Sequence, residues 1–104
     1  MSIYTNIDSL LNISIDTRSS AQEFLNKLTS REQEQIIDAM YLGRDHIHHN
    51  KIREENLPIN DNRLNHIPNE DFARILSEKG RNVDIYLKKI VECAKASNID
   101  LNKI

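Results

Sequence analysis

Tryptophan is absent from this 104-residue chain, cysteine occurs once, and glycine and proline occur twice each. A lone Cys93 cannot close an internal disulfide, so a disulfide-stapled scaffold is excluded and a reducing compartment, the cytoplasm, is expected. No apolar run approaches the roughly 20 residues that span a bilayer. The opening "MSIYTNIDSLLNISID" has neither a basic n-region nor an unbroken apolar core, so no Sec signal is expected. Neither sign of charge dominates: 14 Lys and Arg stand against 16 Asp and Glu, a net charge of −2, interleaved along the chain. A nucleic-acid backbone calls for a basic face, so nucleic acid is disfavoured as a partner. Also missing are a P-loop, G-x-S-x-G, HExxH and any cysteine pair.

What remains is a chain with 38% hydrophobic and 29% charged residues, a balance that folds. At this length one domain, residues 1–104, buries roughly 60–70% of the surface of its unfolded chain. With so few breakers, helical periodicity dominates, and the expected fold is an all-α, compact bundle of four or five short helices. Ile3, Ile7, Leu10 and Leu11 share a helical spacing, while "ISID" beyond them could be extended. Ser20 and Glu23 read as a capping box ahead of Ala21, Phe24, Leu25 and Leu28. Thr29–Glu32 and Ser30–Gln33 repeat that pattern before Ile36, Ile37, Met40 and Tyr41, and Gly43 reads as the C′ residue that ends the helix. In "PNEDFARILSEKG", Asn69 caps, Phe72, Ile75 and Leu76 face inward, and Gly80 stops the helix. From an Asn82 cap, Val83, Tyr86, Leu87, Ile90, Val91 and Ala94 hold the helical period, beside a charge ladder of Asp84, Lys88 and Glu92. Residues 44–68 carry no sustained period; a short helix near 46–56 and an ordered loop are expected there.

The stretch "GRDHIHHNKIR", residues 43–53, holds three of the four histidines. His46 and His49, or Asp45 and His49, are spaced to share a helical face. Two ligands leave a tetrahedral zinc site two short, and Asp61 and His66 belong to no recognised ligand spacing. The plainer reading is a polar helix start after a glycine turn. Clustered imidazoles would also gain charge in an acidified compartment. Catalysis has less to stand on. Cys93 lies on the flank of an apolar helix face, where cysteine acts as a small hydrophobe, and Glu54–Glu55 and Glu70–Asp71 suit a loop and a helix start. No catalytic residue, metal ligand or cofactor is assigned.

The block "LTSREQEQIIDAMYLGRD", Leu28 to Asp45, resembles part of a small bacterial helical domain family of unknown function. There an acidic helix ends in a hydrophobic–aromatic–Leu–Gly–Arg turn, here Met40, Tyr41, Leu42, Gly43 and Arg44. The likeness departs at Asp45, where the family has another glycine, and it implies a helical bacterial protein without established catalytic residues. In size and composition the chain is also similar to small antagonists of Legionella-type effector enzymes, including ubiquitin-modifying ones.

The expected function is a non-enzymatic protein-binding regulator: an inhibitor or antagonist that occludes another protein such as a bacterial effector enzyme. Tyr and Arg are favoured interface anchors, so the expected partner-binding residues are Tyr41, Arg44, His46, His48, His49 and Arg53. Tyr41 reads more readily as core than as contact, while Arg44 and the imidazoles are as readily solvated as bound. The alternative is a metal-binding or pH-sensing helical protein using the histidine cluster. A homodimer is compatible with either, no membrane partner is expected, and translocation into a host cell remains open.

Overall fold

Three side-chain caps set where the first helices begin. In the computed structural model, which describes residues 2–13, 15–52 and 68–103, the Ser2 hydroxyl accepts the Tyr4 N–H at 3.1 Å and opens α1, Ile3–Leu11. Helix α2, Arg18–Leu25, starts at Thr17. Thr17 Oγ1 accepts the Ser20 N–H at 3.1 Å, and the Thr17 N–H returns to Ser20 Oγ at 3.4 Å. The box is therefore Thr17–Ser20 and not Ser20–Glu23: a hydroxyl takes the place of the usual carboxylate, and Glu23 is left on the exposed face. Helix α3, Ser30–Asp45, begins at the expected box, with Thr29 Oγ1 accepting the Glu32 N–H at 3.1 Å and Glu32 Oε1 accepting the Thr29 N–H at 2.9 Å. Gln33 caps nothing on α3. Its amide donates to Leu25 O at 2.9 Å, a carbonyl at the end of α2 that also accepts the Leu28 N–H at 2.9 Å.

The second half is assembled by backbone geometry. A 3-10 turn, Asn69–Asp71, leads into α4, Phe72–Lys79. Asn69 does not cap it but ties it to α3, donating to Ser30 O and Gln33 Oε1 at 3.3 Å each. Gly80 stops α4 as expected, at φ 52° and ψ −127°, a conformation that glycine alone adopts readily. Helix α5 runs Asn82–Ala96, with Arg81 in the cap position expected of Asn82. It ends in a Schellman motif: Ile99 N–H bonds Ala94 O at 2.9 Å, Asn98 N–H bonds Lys95 O at 3.3 Å, and Asn98 takes the left-handed conformation at φ 57°. A final 3-10 turn, Leu101–Lys103, returns to α1, where Asn102 Oδ1 accepts the Ile3 N–H at 2.8 Å and Tyr4 Oη accepts the Leu101 N–H at 2.9 Å.

The five helices, with no strand among the described residues, form the all-α bundle expected. The two long helices, α3 and α5, make the most extensive pairing, and the short helices α2 and α4 pair with each other. All five contribute to one core. To it α3 contributes Ile36, Ile37 and Met40 and α5 contributes Val83, Leu87 and Ile90, while α2 and α4 add Phe24, Leu25, Phe72 and Leu76. Fully burying each such side chain contributes about 1.5–3 kcal/mol. The apolar stripes legible in the sequence are the ones buried, and Tyr41, Tyr86 and Val91 are half-buried at the margin.

Gly43 does not end α3. The helix continues through it to Asp45, and Gly43 is where α5 crosses. A Cβ on Gly43 would lie 1.8 Å from Tyr86 O and 2.5 Å from Tyr86 C. The missing side chain lets two backbones touch. Beyond His46 the described chain is a turn, not the helix expected near 46–56, and residues 53–67 lie outside the described residues.

Two outcomes follow. Gly43→Ala is expected to lose about 2–4 kcal/mol in urea unfolding, because overpacking against rigid backbone outweighs the helix propensity gained. Gly80→Ala, with nothing within 4 Å of the added Cβ, loses only the backbone strain of about 1–3 kcal/mol. Equal stability of Gly43→Ala and the wild type would contradict the crossing. The second outcome concerns Glu32. Hydrogen bonds, the largest from the Thr29 backbone N–H and a smaller one from the Asn6 side-chain amide at 3.2 Å, hold its carboxyl down from 4.5 to about 2. Because the folded value lies below the unfolded one, this contribution is whole above about pH 4.5 and is lost as pH falls toward 2. Urea midpoints of Glu32→Gln should therefore fall less across that window than those of the wild type.

Candidate functional site

The histidine stretch separates into parts with different surroundings. His46 is the C-cap of α3 and is fully buried, at 0% exposure. Its Nδ1 lies 2.7 Å from Leu42 O. A carbonyl only accepts, so Nδ1 carries the hydrogen, and the ring satisfies one of the carbonyls left open at the helix end. The His49 ring stands edge-on to it, centroids 5.8 Å apart. His46 is thus a core histidine, and its expected place at a partner surface is corrected: no incoming side chain reaches it without opening the α3 terminus.

His48 and His49 are exposed, on a turn closed by the His49 N–H to His46 O at 2.9 Å. The turn is pinned along the last turns of α5. Cys93 Sγ donates to His49 O at 3.5 Å, and the Ile52 N–H donates to Ser97 Oγ at 2.9 Å. Cys93 itself is buried, and desolvation pushes its thiol up, with Lys89 opposing the shift and Glu92 adding to it. A nucleophile needs the thiolate, so this environment is that of an inert structural thiol. Among the described residues no three His, Cys, Asp or Glu side chains come together in a way that could hold a metal ion. Asp61, His66, Arg53 and Glu54–Glu55 lie outside the described residues.

Tyr41 and Arg44 stay together, and α4 brings them a third group. The Arg44 guanidinium carbon sits 4.7 Å from the Tyr41 ring centroid and the Lys79 ammonium 5.2 Å from it, so cations from two helices stack on one half-buried ring. Arg44 Nε also lies 3.8 Å from Asp45 Oδ1. Beside the ring an open groove of about 450 Å³ runs along α4 past Pro68, Asp71, Arg74, Ile75 and Glu78. Arg74 is tied to Glu78 at 3.3 Å, an i,i+4 pair on one face. The sequence marks Arg74 and Glu78 by their spacing, but no local signal places Lys79 on Tyr41. That neighbour exists only once α4 packs beside α3.

No helix among the described residues is long and apolar enough to cross a membrane. Comparison with protein-family models, with curated proteins and with solved structures finds no match. The Met40–Arg44 motif behind the family resemblance is continuous helix here, not a turn, and Gly43 within it serves the crossing with α5.

The histidines should separate by stability. His46→Ala is expected to cost about 2–4 kcal/mol, from a cavity plus an orphaned carbonyl, while His48→Ala and His49→Ala stay within about 0.5 kcal/mol of the wild type. Thermal or urea unfolding of the three variants checks this. Equal costs at all three positions would contradict the burial of His46.

Proposed function

We propose that the protein is a non-enzymatic binding regulator that occludes a surface of another protein through the α3–α4 face. The observation that carries the reading is the Tyr41 ring with the Arg44 and Lys79 cations stacked on it, beside an open groove. Tyr and Arg are the residues that most often dominate binding energy, and a ring fixed by two cations and its own core contacts loses little freedom when a partner covers it. The mixed charge of the groove, with Asp71 and Glu78 facing Arg74 and Lys79, suits a polar rim around that anchor. His48 and His49 flank the reading as exposed contacts; His46 supports it from beneath as a cap.

The finer version of the proposal is antagonism of a bacterial effector enzyme inside a cytoplasm, the role that the chain's size and lack of catalytic motifs suit. The rival, a metal-binding or pH-sensing protein built on His46, His48, His49 and His66, draws less support because the His46 ring is committed to its own helix end.

The test is affinity capture from native lysate with the wild type, Tyr41→Ala and Lys79→Glu in parallel, each checked for unchanged unfolding. One stoichiometric partner retained by the wild type and lost by both variants is the expected result. A partner retained equally by all three would move the contact elsewhere, and an empty capture with a discrete homo-oligomer would remove the heteromeric reading.

A further inference from the structure

The outward face of α5 and the groove at its end form one surface that the Tyr41 site does not use. Charge alternates in sign along it: Arg81, Asp84, Lys88, Glu92, Lys95 and, past the helix end, Asp100, all exposed except the half-buried Asp84. Asp84, Lys88 and Glu92 do not close into the ladder expected of them. Among the described residues the ion pair of this helix is Lys89 with Glu92, at 3.7 Å. Two apolar features stand at opposite ends of the row. Near its start Ile85 is 51% exposed, the most exposed large hydrophobic residue among those described. At its end an open groove of about 590 Å³ lies between α5 and α1, its apolar wall made by Tyr4, Val91, Ala94 and Ile99.

A row that alternates in sign is matched by its own reverse. Two copies of α5 side by side in the same direction would set like charges together. Crossed antiparallel about a two-fold axis near Ile90, they set Lys88 of each copy opposite Glu92 of the other. Asp84 then falls within one residue of Lys95 of the second copy, and Arg81 comes level with the turn that carries Asp100. In the same register Ile85 comes level with Lys95 of the second copy, where the groove opens. Sliding by about one turn either way sets Lys88 on Lys88 and Asp84 on Glu92, or Lys88 on Lys95. A slide of two turns restores opposite charges but leaves Ile85 on Lys88 or carries it past the helix end. Exposed ion pairs add little affinity one at a time but fix direction and register, so the apolar contact supplies the attraction. We infer that this face is a two-fold contact between two copies of the chain, Ile85 of each seated at the groove of the other. A patch one helix wide is smaller than the roughly 800 Å² per partner of a standard interface, so the dimer is a reversible one. The α3–α4 face shares no residue with it, and the two readings stand or fall separately.

The test is light scattering and sedimentation of the full chain across protein concentration. It compares the wild type with Lys88→Glu, Glu92→Lys and Ile85→Asp, each checked for unchanged unfolding. A concentration-dependent dimer is expected of the wild type. Each charge reversal sets like charges together and should weaken association at least about tenfold, as should Ile85→Asp. Mixing Lys88→Glu with Glu92→Lys restores both opposite pairs across a heterodimer, and association should return to within about threefold of the wild type. That recovery requires Lys88 of one copy to meet Glu92 of the other. A dimer that the single variants leave intact, or a mixture no tighter than its parts, would overturn the inference. So would a wild type that stays monomeric at millimolar concentration; loss of a captured partner by Ile85→Asp would then assign the face to a foreign protein.

Discussion

The backbone contact between Gly43 and Tyr86 is the constraint on which the other features rest. An α-helix ordinarily holds its neighbour 8–10 Å away, axis to axis, because side chains intervene. At this crossing there is none on the α3 side, and the Gly43 Cα–H points at the Tyr86 carbonyl. Met40 and Leu42, just before that contact in the sequence of α3, are both buried. The close approach brings the end of α3 near the last turns of α5, where the chain from His46 to Ile52 is pinned through Cys93 and Ser97. The burial of His46 is thus a consequence of where two helices cross, not of the imidazoles around it in sequence.

Much of this fold is legible locally. Apolar spacing marks the faces of all five helices, Gly80 marks the end of α4, and Thr29 with Glu32 marks the start of α3. The misreadings share a cause. Ser20 was expected to cap and instead serves Thr17, since two hydroxyls can close a box usually recognised by its glutamate. Gly43 was expected to end a helix because glycine most often does so at C′, yet the same residue in mid-helix admits a neighbouring backbone. Those two uses leave the same letter in the sequence, and only the partner helix tells them apart.

The candidate site divides along the same line. That Tyr41 and Arg44 stand one turn apart can be read from their numbers, whereas Lys79 reaches the ring only through packing of α4 beside α3. The three neighbouring histidines, alike in sequence, become one buried cap and two exposed side chains. Clustering of a residue type along the chain is therefore poor evidence for a shared site when a helix ends inside the cluster. The feature that could have warned of it is Gly43 itself, three residues before His46.

The central claim is that α3 passes through Gly43 in contact with α5, and proton–proton distances measure it most directly. Nuclear Overhauser spectra of the labelled chain are predicted to show cross-peaks between the Gly43 α-protons and the backbone protons of Tyr86 and Leu87, with helical connectivities continuing to Asp45. Connectivities that stop at Leu42, with no cross-peak from Gly43 to α5, would contradict the account and return Gly43 to the role of a helix stop.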